Sequence, residues 1–197
     1  MISKTEGILQ SIVSSRKRAI AEQKSKMPEG TIERLARNYS ELPRKFLRRL
    51  KAGYQKKSPA IIAEIKRASP SKGMIKENFD PQAIAKSYEE GGATCISVLT
   101  ETEFFLGSPN YIKSVKAACS LPVLRKDFIL DDYQIFESKL IGSDCILLIA
   151  AILDISDLHR LYKLAISLDL DVLVEVHNSE ELDKVLTLAP SMIGINN

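Results

Sequence analysis

The sequence predicts an α/β fold, in which six parallel strands alternate with helices as part of a (β/α)8 barrel, behind an N-terminal helical extension. Three observations predict it. From Pro59 onward, apolar strand-like runs alternate with amphipathic helical segments across short turns, with strands starting near residues 60, 94, 122, 145, 171 and 192. That rhythm calls for parallel pairing through right-handed crossovers. The runs are apolar on both faces, as in strands buried between helices and a core. Charged residues gather at the ends of the strands, where barrels of this kind place their chemistry. A doubly wound sheet is the rival, but no glycine-rich dinucleotide turn follows any strand.

The extension, residues 1–58, contains three helical segments. Residues 7–26 carry Ile8, Leu9, Ile12, Val13, Ala19 and Ile20 at near-helical spacing, with Arg16, Lys17 and Arg18 between them. Pro28-Glu29-Gly30 is expected to end this helix, and Thr31 to cap a second that runs to about Tyr39. Pro43 is expected to open a third, with Phe46, Leu47 and Leu50 on one side, before a basic linker from Gly53 to Ser58.

Residues 59–197 hold the barrel part. Strand one is predicted over 60–66, and Asp80-Pro81 is an N-cap with proline at the first helical position. Strand two covers 94–99 and leads into a loop, 100–108, containing Phe104 and Phe105. A helix from Pro109, strand three over 122–127, a helix from Asp131 and strand four over 145–149 follow. A helix over 154–168, strand five over 171–176, a helix from Ser179 stopped by Pro190, and strand six over 192–195 complete the order.

Alternation decides which charges point into the barrel. On strand one, Glu64 and Lys66 share a face. On strand three, Leu124, Lys126 and Phe128 share one, and on strand five the valines go out while Leu173 and Glu175 go in. Asn196 ends strand six. The inward set is therefore Glu64, Lys66, Lys126, Glu175 and Asn196. Alone, Glu64 and Lys66 are as readily a buried structural ion pair. Together the five resemble a site, because such a set can hold a protonated acid beside an ionised base.

Composition narrows the rest. The chain is 45% hydrophobic and 27% charged, as in a globular protein with a core. Met1 to Glu6 lead into no apolar stretch, so no secretory signal is expected. No apolar run approaches the roughly 18 residues of a membrane span. Cys95, Cys119 and Cys145 lack metal-type spacing and are expected to be reduced core residues of a cytoplasmic protein. Residues 1–58 carry 15 Lys and Arg against 5 Asp and Glu, and the remainder 13 against 20. Docking of this basic arm on the acidic remainder, or a solvated helical face, is favoured over nucleic acid, for which the arm has no motif.

The residues also carry a family resemblance. The stretch Ile62-Ala63-Glu64-Ile65-Lys66-Arg67-Ala68-Ser69-Pro70-Ser71-Lys72-Gly73 resembles the signature of indole-3-glycerol-phosphate synthase. So do Ser97 to Glu101, Phe104 to Ser108, Leu124 to Phe128, Leu147 to Ile149, Leu173 to His177 and Ile193 to Asn197. The resemblance implies a TIM barrel and a lyase of tryptophan biosynthesis. The implied reaction closes the indole ring of 1-(2-carboxyphenylamino)-1-deoxyribulose 5-phosphate, with loss of carbon dioxide and water and with no metal or organic cofactor. It implies that Lys126 is the general acid at the substrate carbonyl. Lys66 would hold the substrate carboxylate and share acid duty, and Glu175 would be the partner acid/base in dehydration. Glu64 and Asn196 would orient the lysines and substrate hydroxyls. Ser69 would donate to the phosphate, and Phe105, Phe128, Leu147 and Ile149 would wall the aromatic pocket.

A complete barrel of this kind takes about 250 residues and places much of its phosphate site after strands seven and eight. This sequence presents six. Strands one and six are expected to be open edges that invite self-association. A non-catalytic remnant or fragment of the enzyme is the alternative function.

Overall fold

The structure, a computed structural model, describes residues 4–55 and 59–196. Residues 56–58 of the basic linker, Met1 to Ser3 and Asn197 lie outside them. Three helices come first: α1 (Lys4–Lys26), α2 (Glu29–Arg37) and α3 (Phe46–Gln55). Then follow β1 (Ile62–Ile65), a hairpin of β2 (Ala68–Ser69) and β3 (Gly73–Met74), α4 (Pro81–Glu90) and β4 (Cys95–Leu99). Next are α5 (Asn110–Ala118), β5 (Val123–Lys126), α6 (Asp132–Leu140) and β6 (Cys145–Ile149). A 3-10 turn at Ala150–Ile152, α7 (Ile155–Ser167), β7 (Asp171–Val176), α8 (Ser179–Leu186) and β8 (Ile193–Ile195) end the order. The main sheet is parallel throughout, in the order β1-β4-β5-β6-β7-β8, and curls into part of a barrel.

The core has an outer and an inner layer. Outside the sheet, Ile65, Ile96, Val98 and Val123 meet α4 and α5, while Ile146, Leu148, Val172, Val174 and Val176 meet α6, α7 and α8. Inside, Cys95, Leu124, Cys145, Leu147, Ile149 and Leu173 form a separate cluster with Phe46. The expected alternation on β7 is thus present, with buried valines outward and Leu173 inward. Phe46 and the partly buried Leu50, both on α3, plug the floor of the sheet's concave face. Burying such a phenylalanine stabilises by about 1.5–3 kcal/mol.

Several boundaries differ from the sequence expectation. Helix α1 stops at Lys26, ahead of Pro28 as expected, but Pro28 also begins the next helix: Thr31 and Ile32 donate their N–H groups to its carbonyl, so Glu29 and Gly30 form the first turn of α2. Proline fits there because its missing N–H would find no helical partner anyway. Thr31 is therefore inside the helix rather than its cap. Pro43 does not open α3 either. The N–H of Arg44 donates to Asp144 (2.7 Å) and its guanidinium donates to the carbonyls of Lys116, Cys119 and Leu121. Those bonds hold residue 44 in an irregular path until Phe46. The loop after β1 is partly ordered as the β2–β3 hairpin, with Gly73 at φ +65° supplying the left-handed turn.

Candidate active site

The parallel sheet brings the C-terminal ends of β1, β5, β7 and β8 to one end of its concave face. Alternation sends Glu64 and Lys66 inward from β1, and the Lys66 Nζ pairs with Glu64 Oε1 at 2.5 Å. Lys126 ends β5, and its Nζ lies 3.7 Å from Glu175 Oε2 on β7. Ile149, on the intervening β6, is in register with Glu175. Asn196 follows β8 and donates from Nδ2 to Glu175 Oε1 (3.2 Å). The five charged or amide residues expected from the sequence thus form two groups, Glu64–Lys66 and Lys126–Glu175–Asn196.

Both groups border one cavity of about 700 Å3. Its lining includes all ten residues singled out from the sequence: the five above with Ser69, Phe105, Phe128, Leu147 and Ile149. The Phe105 and Phe128 rings lie 6.0 Å apart, tilted by 36°, and with Leu147 and Ile149 form an apolar wall. A wall of that kind suits an arene, with convergent polar groups to orient it. Ser69 sits on the opposite rim, where its Oγ accepts the Lys72 N–H at 3.3 Å. A second cavity, about 490 Å3 between β1 and α4, holds only Glu64 and Lys66 of the ten.

The loop that carries Phe105 is built around a buried carboxylate. Glu101 accepts the backbone N–H groups of Glu103, Phe104 and Phe105 at 2.7–2.9 Å. Gly107 closes the loop because a Cβ there would stand 2.4 Å from the carbonyl oxygen of Leu99. From above, Ile8, Leu9 and Ile12 of α1 complete the cavity wall.

Five polar residues of this region escaped the sequence reading. Asp127, next to Lys126, is wholly buried and takes a 2.6 Å bond from Thr100 Oγ1 and ion pairs from Arg16 and Arg125. Arg125 is itself fully buried and also reaches Glu137 at 2.6 Å. Arg16 comes from α1, more than a hundred residues away, which no local pattern announces. Glu101 lies inside a motif quoted for its resemblance, without a role. His177 was visible by spacing alone: two residues beyond Glu175, it shares the inward face, and it lines the cavity.

The cysteines are a different matter. All three are buried and unpaired. Burial pushes the Cys95 thiol up to about 12 and Cys145 well above its ordinary value. Neither is a thiolate at neutral pH, so neither is a nucleophile. Among the described residues no group of three or more His, Cys, Asp or Glu side chains is arranged to hold a metal ion. No described helix is long and apolar enough to cross a membrane.

The family model for indole-3-glycerol phosphate synthase matches residues 9–197. The chain belongs to the indole-3-glycerol phosphate synthase family. Indole-3-glycerol phosphate synthase of Polaromonas naphthalenivorans (strain CJ2) is 49% identical over 190 residues, which span 96% of this chain and 72% of that protein. A solved structure, "Native KDPGal structure", is similar over 68% of this chain and 58% of its own, at 13% identity with a TM-score of 0.43, a likeness too low to carry an argument. Members of the indole-3-glycerol phosphate synthase family are carboxy-lyases of tryptophan biosynthesis with a TIM-barrel fold, and their substrate is a phosphorylated small molecule.

Proposed function

We propose that the cavity between Lys126 and the aromatic wall performs the family's ring closure, converting 1-(2-carboxyphenylamino)-1-deoxyribulose 5-phosphate to indole-3-glycerol phosphate, carbon dioxide and water. The observation that carries the reading is the meeting of all ten sequence-selected residues at one cavity, with Lys126 held 3.7 Å from Glu175. The substrate arene lies against Phe105, Phe128, Leu147 and Ile149. Lys126 gives its proton to the substrate carbonyl oxygen as the ring carbon bearing the carboxylate attacks the carbonyl carbon. A cation is needed where that oxygen gains negative charge. The carboxylate leaves as carbon dioxide, and its bonding pair restores the arene. The new hydroxyl then leaves as water, with Glu175 taking the proton that is lost and Lys66 sharing the acid duty. Lys66 also holds the substrate carboxylate before it departs, Glu64 and Asn196 set the orientation, and Ser69 donates to the phosphate.

In this reading residues 1–58 and 59–197 act as one unit. The Arg16–Asp127 contact and the Phe46 plug support that view. The free cysteines suit a reducing, cytoplasmic setting. The basic arm is spent on intramolecular contacts such as Lys24 with Asp131, which argues against nucleic acid. The edge strands β1 and β8 leave Ile62 36% and Ile195 80% exposed, so this polypeptide associates with itself through them. Sedimentation equilibrium showing a monomer at all concentrations rejects that last point. The catalytic reading is tested by following indole fluorescence on addition of the substrate. Turnover that disappears in Lys126→Ala supports it, and turnover that survives in Lys126→Ala overturns the assignment.

A further inference from the structure

Beyond Glu175, β7 delivers a second titratable side chain to the cavity. His177 lines it, with its side chain 39% exposed. The ring is held from both ends. Its Nδ1 lies 3.2 Å from Glu181 Oε2, and the same oxygen accepts the His177 backbone N–H at 2.9 Å. Glu181 is fixed in turn at the start of α8. Its own N–H donates to Asn178 Oδ1 (2.8 Å), and its Oε1 accepts from Asn178 Nδ2 (3.0 Å). Asn178 thus caps α8, and the Glu181 carboxylate ties both the capping side chain and the His177 N–H to the first turn. At the other end of the ring, Nε2 lies 3.1 Å from Asn196 Nδ2 and 3.6 Å from Glu175 Oε1.

These partners dictate one tautomer. A carboxylate only accepts, so Nδ1 carries the proton that faces Glu181. The Asn196 NH2 group only donates, so Nε2 is bare. Asn196 then places one hydrogen on Glu175 Oε1 and the other on His177 Nε2. With both hydrogens engaged, the amide cannot flip, and its Oδ1 is left facing away from these two partners as a free acceptor for a substrate hydroxyl. Without His177, one amide hydrogen loses its acceptor and the bond to Glu175 alone holds Asn196, so the amide swings about that bond and its Oδ1 loses its fixed aim at the substrate.

We propose that His177 is a positioning residue for the ring-closure reaction. Fixed as the Nδ1–H tautomer by Glu181, it locks the orientation of Asn196 and, through it, of the Glu175 carboxylate. The inference rests on the site reading above and extends it along one line of contacts, Glu181–His177–Asn196–Glu175. Protonation of the ring would replace the acceptor at Nε2 with a donor, which then faces Glu175 and repels the Asn196 NH2 group. The charged groups around the ring are Glu175 on β7, Glu181 on α8 and, across Glu175, Lys126 on β5.

Two measurements on the full chain test this. The first is the imidazole nitrogen NMR spectrum of the uniformly labelled protein. The chain has two histidines, so His159→Gln assigns the remaining signal. A protonated Nδ1 and a bare Nε2 at neutral pH, with mixed tautomers in Glu181→Gln, is the expected result; an Nε2–H tautomer overturns the proposal without any need for turnover. The second is kinetic. Glutamine keeps an acceptor near the place of Nε2, whereas asparagine keeps only a partner for Glu181. His177→Asn and His177→Leu are expected to lower kcat about tenfold with KM within twofold. His177→Gln should recover most of kcat. Recovery by asparagine but not glutamine makes the histidine a cap for α8 and nothing more. The Lys126→Ala variant separates the two readings: if it stays active the site assignment fails, and if it is dead while His177→Leu matches the parent, only the role of His177 fails.

Discussion

Arg16 reaches Asp127 across the top of the sheet, Nη2 donating to Oδ2 at 3.2 Å, and both side chains are buried. The pair joins the first helix to the residue that follows Lys126. Asp127 shares its charge with Arg125, which in turn holds Glu137, Ser138 and the carbonyl of Gln134. Lys126 therefore stands on a strand end clamped from outside, while its own side chain faces the cavity.

Arg16→Ala is expected to destabilise the chain by about 3 kcal/mol, because breaking a buried ion pair leaves a charge without its partner. Urea unfolding measures the loss. The same variant should lower kcat more than it raises KM, since it loosens Lys126 without removing a group that touches substrate. An unchanged unfolding midpoint would mean that Arg125 alone suffices for Asp127.

Phe46→Ala should cost about 3–5 kcal/mol, as other deletions of a buried phenylalanine do. Phe46 belongs to the N-terminal extension yet completes the inner cluster with Leu124, Leu147 and Leu173. Its removal opens a void at the floor of the sheet, on the far side from the cavity. Phe46→Leu fills much of that void and should recover over half of the loss in a thermal melt. Equal destabilisation by both variants would place the plug's worth elsewhere on α3.

The difference between what local pattern revealed and what it concealed follows from chain distance. On β7, Val172, Val174 and Val176 alternate with Leu173 and Glu175, and a period of two is enough to tell helix-facing from cavity-facing residues. The same rule found Lys126, Glu64 and Lys66. It also carried the information for Arg125 and Asp127, whose positions between inward residues put two charges on the face toward the helices. Their partners could not be read there, because Arg16 arrives from α1 and Glu137 from α6. The start of α2 was misplaced for another reason. Pro28 both follows the end of α1 and starts α2, and only the bonds to its carbonyl show that the second helix takes in Glu29 and Gly30. The β2–β3 hairpin has two residues per strand, too few to show any period.

Gly107→Ala should damage the aromatic wall. The added Cβ meets the carbonyl oxygens of Leu99 at 2.4 Å and Glu101 at 2.8 Å, both backbone atoms that cannot turn aside. Overpacking of this kind costs about 1–3 kcal/mol. The loop that must yield carries Phe105, so substrate affinity should fall as well as stability. Equilibrium binding of the substrate to a Lys126→Ala background, which does not turn it over, reads the first effect, and thermal unfolding the second. Retention of both would show that the 100–108 loop moves freely without disturbing Phe105.

Lys139 gives the clearest dependence on pH. It is buried on α6, and burial holds its ammonium group below the ordinary 10.5, opposed by Asp169 and assisted by Lys45 and Lys116. In the folded chain the proton leaves at a lower pH than in the unfolded chain. Between those two values the unfolded state binds more protons, so the contribution of Lys139 to stability rises with pH across a window that ends near 10.5. Below that window the charge is carried in both states and its burial is a constant penalty. Lys139→Met removes the charge and keeps the length of the side chain. It should raise Tm at pH 7 by about 2–4 °C for each kcal/mol of penalty relieved. The gap between parent and variant should then narrow as the buffer is taken from pH 8 toward about 10.5. A gap that stays constant through that range would show that packing, not charge, separates the two proteins.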